Sequence, residues 1–186
     1  MNPLVRLAFL AFVWPLWFLP FLLARRKKTP SAVQLERGAR WGMLLAAAAF
    51  WITFAHGPEV WRSKFPVWRM AFAGLFAAMA IVLSWTAVRN LGKQWRIDAG
   101  LNADHELVRN GPYRFVRHPI YASMLAMLLT GILAVGTLPG WPIALVLFIA
   151  GTEIRIRIED QLLRGRFGAE FEAWKRAVPA YLPFVR

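Results

Sequence analysis

Five apolar stretches dominate this chain and restrict it to folds whose outer surface faces lipid. They run from about Pro3 to Ala24, Trp41 to His56, Val67 to Val88, Pro119 to Val135 and Trp141 to about Thr152. Crossing a bilayer as a helix takes roughly 20 residues, within a range of about 17–25. A helix also satisfies its own backbone hydrogen bonds, which lipid cannot do. Hydrophobic residues make up 58% of the 186, with ten Trp and fourteen Phe. That is more apolar surface than a soluble core of this size can hide. The expected fold is an all-α integral membrane protein of about five transmembrane helices. The second and fifth stretches are short, so their helices are expected to extend into flanking polar sequence. Thr137-Leu138-Pro139-Gly140 leaves room only for a tight hairpin between helices four and five.

Charge sets the expected orientation. Of the 23 Lys and Arg, 19 fall on one side: Arg25, Arg26, Lys27, Lys28, Arg37 and Arg40, then Arg89 through Arg117, then Arg155 to the C-terminus. Only Arg6, Arg62, Lys64 and Arg69 fall on the other. The positive-inside rule then puts the N-terminus outside and the C-terminus in the cytoplasm. Nine of the ten carboxylates share the cytoplasmic side, with Glu59 the exception. The first stretch reads as a retained helix rather than a cleaved signal: it is long, Pro15 and Pro20 interrupt it, and no small-residue cleavage site precedes Arg25.

The net charge of +13 raises nucleic acid as a partner, but the cations cluster in loops between apolar runs. Membrane lipids are the expected contact, and no nucleic acid. The chain has no Cys and three scattered histidines, His56, His105 and His118. No thiolate chemistry and no metal site are expected. Neither a G-x-G-x-x-G after a strand nor a G-x-x-x-x-G-K-[ST] is present.

Candidate chemistry collects in two cytoplasmic segments, Arg89–His118 and Glu153 to the end, which the hairpin returns to one membrane face. In Gly111-Pro112-Tyr113-Arg114-Phe115-Val116-Arg117-His118-Pro119-Ile120-Tyr121, polar groups stand at the mouth of a membrane helix. Such placement is costly and usually functional. Pro119 marks the start of helix four. Its N-terminus, with Arg114, Arg117 and His118, offers donors to a carboxylate or phosphate; the same collar also suits anionic lipid headgroups. Tyr113, Phe115 and Tyr121 also suit the role of interfacial aromatics. Asp104 or Asn102 is placed to cap a short helix over His105-Glu106-Leu107-Val108. In Glu153-Ile154-Arg155-Ile156-Arg157-Ile158-Glu159-Asp160, the alternation of Ile with charge has a strand's period. A membrane helix runs into it, however, so a helix is expected, with Arg155 and Glu159 as i,i+4 neighbours.

Two blocks also carry a family resemblance. His105-Glu106-Leu107-Val108-Arg109-Asn110-Gly111-Pro112-Tyr113, running into Arg117-His118-Pro119-Ile120-Tyr121, resembles the isoprenylcysteine carboxyl methyltransferase family of phospholipid-methyltransferase-like membrane enzymes. Arg155 to Glu159-Asp160-Gln161-Leu162-Leu163, then Phe167 to Phe171 and Val178 to Pro183, resembles that family's C-terminal block. The resemblance implies a three-helix membrane region over residues 1–88 and a methyltransferase region over 89–186, with a cytoplasmic pocket for S-adenosylmethionine. It assigns the cofactor to His105, Glu106, Leu107, Val108, Tyr113, Arg117, His118, Pro119, Ile120, Tyr121 and Glu159, and the substrate to Arg155. Arg155 and Glu159 are the expected catalytic pair. In this reading the cofactor's carboxylate suits the helix-four N-terminus and His118, and its ammonium suits Glu159. Where the family often has Gly, this chain has Ser123, and its paired Glu-Glu is Glu159-Asp160. Asp98 is the candidate for an upstream polar contact to the cofactor.

The expected reaction is methyl transfer to a membrane-embedded, lipid-like small-molecule acceptor, with O-methylation of a carboxylate first. Phospholipid or amine N-methylation and phenol O-methylation stay open. So do a sterol-reductase-like enzyme using NADPH and a non-enzymatic protein binding anionic lipid. Ala-, Arg- and Trp-rich usage points to a bacterial inner membrane rather than the endoplasmic reticulum.

Overall fold

Proline opens three of the long helices. Helix α1, Pro3–Leu23, begins on a proline whose missing N–H costs nothing there, and the Asn2 side chain accepts from the Leu4 amide at 2.9 Å. Helix α3, Val67–Leu91, follows Pro66, and α4, Pro119–Val135, starts at the expected proline. Helix α2 covers Ala39–Phe54, α5 covers Gly140–Phe167, and α6 covers Ala169–Ala177. Gly168, at φ +51°, makes the left-handed step between α5 and α6 that a side chain would strain. The computed structural model describes residues 2–24, 34–35 (backbone only), 38–55, 65–97, 99–101, 104–135 and 140–181. Arg25 to Lys28, Glu36, Arg37, His56, Glu59, Arg62, Lys64, Asp98, Asn102, Thr137 to Pro139 and residues 182–186 lie outside them.

The helices α1 and α3 are long and apolar enough to cross a membrane. The fifth stretch does extend through its polar flank, giving 28 residues, and the Ile–charge alternation is helical as expected. The second does not extend: α2 remains 16 residues, about 24 Å at 1.5 Å per residue. Ala55 leaves helical geometry at ψ 59°, and the sequence then reads Gly57-Pro58, a helix stop.

Helices α2 and α5 pack most extensively, as do α3 and α4, and α1 packs on α3. Small residues permit the close approaches: Ala46 and Ala49 against Phe148 and Leu128, and Ala77, Ala80 and Ala126 around Trp17. Helices α2 and α5 come closest at Gly42 and Gly151.

Two expectations need correction. The fold is not wholly helical, because β1, Gln34–Leu35, pairs antiparallel with β2, Gly100–Leu101. Two residues carry too little periodicity to be read as a strand. Nor is there a helix over His105–Val108; Asp104 instead pairs with Lys93 at 3.2 Å.

Candidate active site

Where α4 and α5 emerge from the apolar bundle, their polar residues enclose one end of a cavity of about 500 Å³. His105, Glu106, Leu107, Val108, Tyr113, Arg117, His118, Ile120, Tyr121, Arg155 and Glu159 all border it. Pro119 does not: fully buried, it starts α4 and fixes the direction in which Tyr121 points.

Local structure delivers these side chains. Gly111 takes φ +59° against Asn90, where a Cβ would stand 2.5 Å from the Asn90 amide nitrogen. A single 3-10 turn, Gly111–Arg114, then drops Tyr113 into the interior at 5% exposure, while Phe115 stays outside. The chain next runs beside the C-terminal segment: the Arg117 amide donates to the Pro179 carbonyl at 2.9 Å and the His118 amide to the Ala180 carbonyl at 2.7 Å.

Glu159 is the hub. Its carboxylate accepts from the Tyr121 hydroxyl, from Arg155 Nη2 at 3.3 Å and from His118 Nδ1 at 3.3 Å. Arg155 Nε also donates to the Tyr121 hydroxyl at 2.7 Å, and its Nη2 to the Ile97 carbonyl at 2.9 Å. Its Nη1 has no protein partner among the described residues, although the residue is buried and borders the cavity. Next along α5, Asp160 receives His118 Nε2 at 3.0 Å, Arg117 Nη2 at 3.1 Å and Lys175 Nζ at 2.9 Å. Arg117 Nη1 reaches on to the carbonyls of Lys175 and Val178. Two carboxylates thus meet four cationic groups when His118 is charged, which leaves the cluster with surplus positive charge.

The protonation states follow from these partners. Burial opposes a charged His118, but its hydrogen bonds to Asp160 and Glu159 outweigh that and raise its pKa above 6.5. Burial likewise disfavours ionised Asp160, yet bonds from His118 and Lys175 and the Arg117 charge lower it to about 2. Glu159 is lowered too, with burial overcome by His118, Arg155 and Tyr121. Burial pushes the Tyr113 phenol well up, so it stays neutral.

The arrangement changes one expected role. The amides of Arg117 and His118 are taken by the C-terminal segment, and both ring nitrogens of His118 face carboxylates. A ligand carboxylate placed at His118 would meet Glu159 and Asp160, so His118 acts as a cationic spacer between them.

Sequence reasoning overlooked three contributors. Lys175 is one basic residue among many in a basic tail, and only the fold brings it to Asp160. Gln94 is buried at the cavity wall, and its Oε1 has no hydrogen-bond partner among the described residues, whereas Asp98 lies outside them. Trp17, Phe18, Phe21 and Leu22 of α1 form an apolar wall. Their helical spacing resembles that of any lipid-facing helix in this chain.

These residues fit S-adenosylmethionine. Ionised Glu159 borders the cavity to face a cation, and the unpartnered Gln94 Oε1 awaits an N–H donor. Leu91, Leu107, Val108, Tyr113 and Trp174 supply an apolar slot for a flat ring.

Comparison with known proteins agrees with this picture. Two rice proteins, from Oryza sativa subsp. indica and subsp. japonica, are each described as a probable protein-S-isoprenylcysteine O-methyltransferase. Each is 30% identical over 122 residues, covering 63% of this chain and 63% of the relative. The chain therefore spans less than two thirds of the length of these relatives. The solved structure of a eukaryotic intramembrane Ras methyltransferase, isoprenylcysteine carboxyl methyltransferase, superposes with a TM-score of 0.61. It is 19% identical, with 94% of this chain and 63% of that one covered, so the likeness is one of fold. The model of the phospholipid methyltransferase family matches residues 68–170, from the start of α3 into α6, and includes every member of the polar cluster except Lys175. The resemblance read from the two sequence blocks thus holds at the level of the family, and the chain belongs to the phospholipid methyltransferase family.

Proposed function

We propose that this protein is an integral membrane methyltransferase that uses S-adenosylmethionine to methylate the carboxylate of a lipid-like acceptor. The observation that carries this reading is Arg155: a buried guanidinium with Nε and Nη2 fixed and Nη1 left for the cavity. A planar donor held this way suits an oxyanion. When bound, the cofactor supplies an electrophilic methyl group on a sulfonium. Arg155 holds the acceptor carboxylate, and Glu159 faces the cofactor's positive charge. The Tyr121 ring, stacked 5.7 Å from His118, adds a polarisable aromatic group to the cavity lining that would suit a bound sulfonium. Positioning and water exclusion then provide most of the acceleration.

The same geometry disfavours acceptors that must lose a proton. His118 is held as an imidazolium between two carboxylates, and Glu159 is lowered and already accepts three hydrogen bonds. Neither is a free base for a phenol or an ammonium. A carboxylate is ionised near neutral pH and requires none. In this reading five helices cross the membrane, with the site on the cytoplasmic face of a bacterial inner membrane.

Calorimetry of the purified protein with S-adenosylhomocysteine and with NADPH tests the cofactor; binding of NADPH alone would sink the reading. Transfer of labelled methyl to an S-prenylated cysteine, giving a base-labile product, tests the acceptor. A base-stable product would indicate N-methylation instead.

A further inference from the structure

Arg155 borders the cavity with most of its donors already spent. A guanidinium carries five N–H bonds, one on Nε and two on each Nη. The Nε–H goes to the Tyr121 hydroxyl at 2.7 Å. Nη2 gives to the Ile97 carbonyl at 2.9 Å and to Glu159 Oε1 at 3.3 Å, which uses both of its hydrogens. Nη1 is what remains for a ligand in the cavity that Arg155 lines.

That remainder restricts how a carboxylate can be held. A fork that grips both carboxylate oxygens needs two nitrogens side by side. The guanidinium has two such edges, Nε with Nη2 and Nη1 with Nη2. Nη2 belongs to both, and its hydrogens are taken. Arg155 therefore holds one oxygen through Nη1 and gives no hydrogen bond to the other. Tyr121 secures this setting from inside: it is 6% exposed, as is Arg155, and its hydroxyl hydrogen goes to Glu159, which leaves its lone pairs to accept from Nε.

We propose that Tyr121 is a positioning residue: its hydroxyl, by holding Nε, confines Arg155 to a one-oxygen grip, so that the acceptor's other oxygen stays free to attack. This rests on the carboxylate reading above and deepens it. A hydrogen bond draws on the lone pairs that a nucleophile must use, so a two-oxygen fork would bind the acceptor firmly and blunt it. With one oxygen anchored, the free one forms the new O–C bond to the methyl group. The C–S bond breaks with its electron pair passing to sulfur. The carboxylate and sulfonium charges cancel, and no proton moves.

The test is infrared spectroscopy of an N-acetylated S-prenylcysteine, labelled with carbon-13 at its carboxylate and bound to the full chain saturated with S-adenosylhomocysteine. A carboxylate held at one oxygen shows a wider gap between its asymmetric and symmetric stretches than one held evenly at both. The wild type is expected to show the wide gap. In Tyr121→Phe the guanidinium is free to turn a two-nitrogen edge to the ligand, and the gap narrows. In steady-state assays of that variant, kcat should fall roughly ten- to a hundredfold, the cost of a misplaced reacting group. Acceptor KM and S-adenosylhomocysteine affinity should stay within about threefold of wild type, since ground-state binding is kept. A narrow gap in the wild type overturns the one-oxygen grip, and this measurement stands where Tyr121→Phe fails to fold. An unchanged kcat in the variant overturns the role of the hydroxyl. So does a fall in S-adenosylhomocysteine affinity as large as that in kcat, which would return Tyr121 to the cofactor. Absence of any carboxylate signal that Arg155→Ala removes would sink the acceptor reading itself, whereas a bound carboxylate with a narrow gap sinks the inference alone.

Discussion

Gly42 on α2 and Gly151 on α5 touch backbone to backbone: a Cβ on Gly42 would stand 2.4 Å from the Gly151 carbonyl oxygen, and one on Gly151 would stand 2.5 Å from that of Gly42. The same Cβ on Gly42 would meet the Arg155 Cγ at 2.7 Å. Close helix packing and guanidinium placement are therefore one arrangement. Gly42→Ala should cost about 1–3 kcal/mol of stability, as overpacking does. It should also raise the acceptor KM more than it weakens S-adenosylhomocysteine. Thermal unfolding in detergent and paired binding measurements check both; an equal loss of both ligands would show that Arg155 has not moved selectively.

Arg155→Ala removes the group assigned to the acceptor and leaves Glu159 with two donors, Tyr121 and His118. Truncating one partner of a buried charged contact costs about 2–5 kcal/mol. Acceptor binding should fall by that much and cofactor binding by clearly less. Arg155→Lys keeps the charge but not the fork, so it should rescue only part of the loss. Steady-state kinetics with each substrate varied in turn decides the matter.

Asp160 sits among Arg117, His118 and Lys175, and it anchors the C-terminal segment without itself bordering the cavity. Asp160→Asn leaves buried cations uncompensated, a loss of about 3–5 kcal/mol. The expected result is a large fall in Tm. Glu159→Gln, by contrast, should reduce S-adenosylhomocysteine affinity roughly tenfold or more, the worth of a charged hydrogen bond, with a smaller change in Tm.

The same groups make stability depend on pH from both sides. His118 is raised above 6.5, so the stability from its charged form is complete below that value and is lost as pH rises through the raised pKa. Asp160 is lowered from 3.8 to about 2, so its contribution is complete above 3.8 and is lost as pH falls toward 2. Tm measured across this range should peak in the mildly acidic region. In His118→Gln the alkaline shoulder should flatten; an unchanged profile would show that the imidazole carries no charge in the fold.

What the sequence made legible was local. Pro119 announced α4 because proline suits a helix start and an apolar run follows it. The i,i+4 spacing of Arg155 and Glu159 placed them on one face once the helix was known to continue through the Ile–charge alternation. What stayed hidden was long-range. Asp160 lies 43 residues from Arg117, and Trp17 lies 106 from Ser123. No periodicity carries such pairings, and a basic tail gives no sign that Lys175 turns inward to Asp160. Membrane thickness argues for a longer α2 than the Gly57-Pro58 stop in the sequence permits. The β1–β2 ladder left no trace because two residues have no period.

The walls of the cavity come from distant parts of one chain. The polar wall belongs to α4, α5 and the segments beside them, while much of the apolar wall belongs to α1. Among the described residues no hydrogen bond joins the α1 wall to Arg155 or Glu159, and Trp17 to Ser123 ties that wall to α4. Mutational drift along α1 can therefore retune which molecule is accepted while the transfer chemistry is inherited intact. Relatives sharing the motif blocks should be sorted by acceptor on the residues of their first helix.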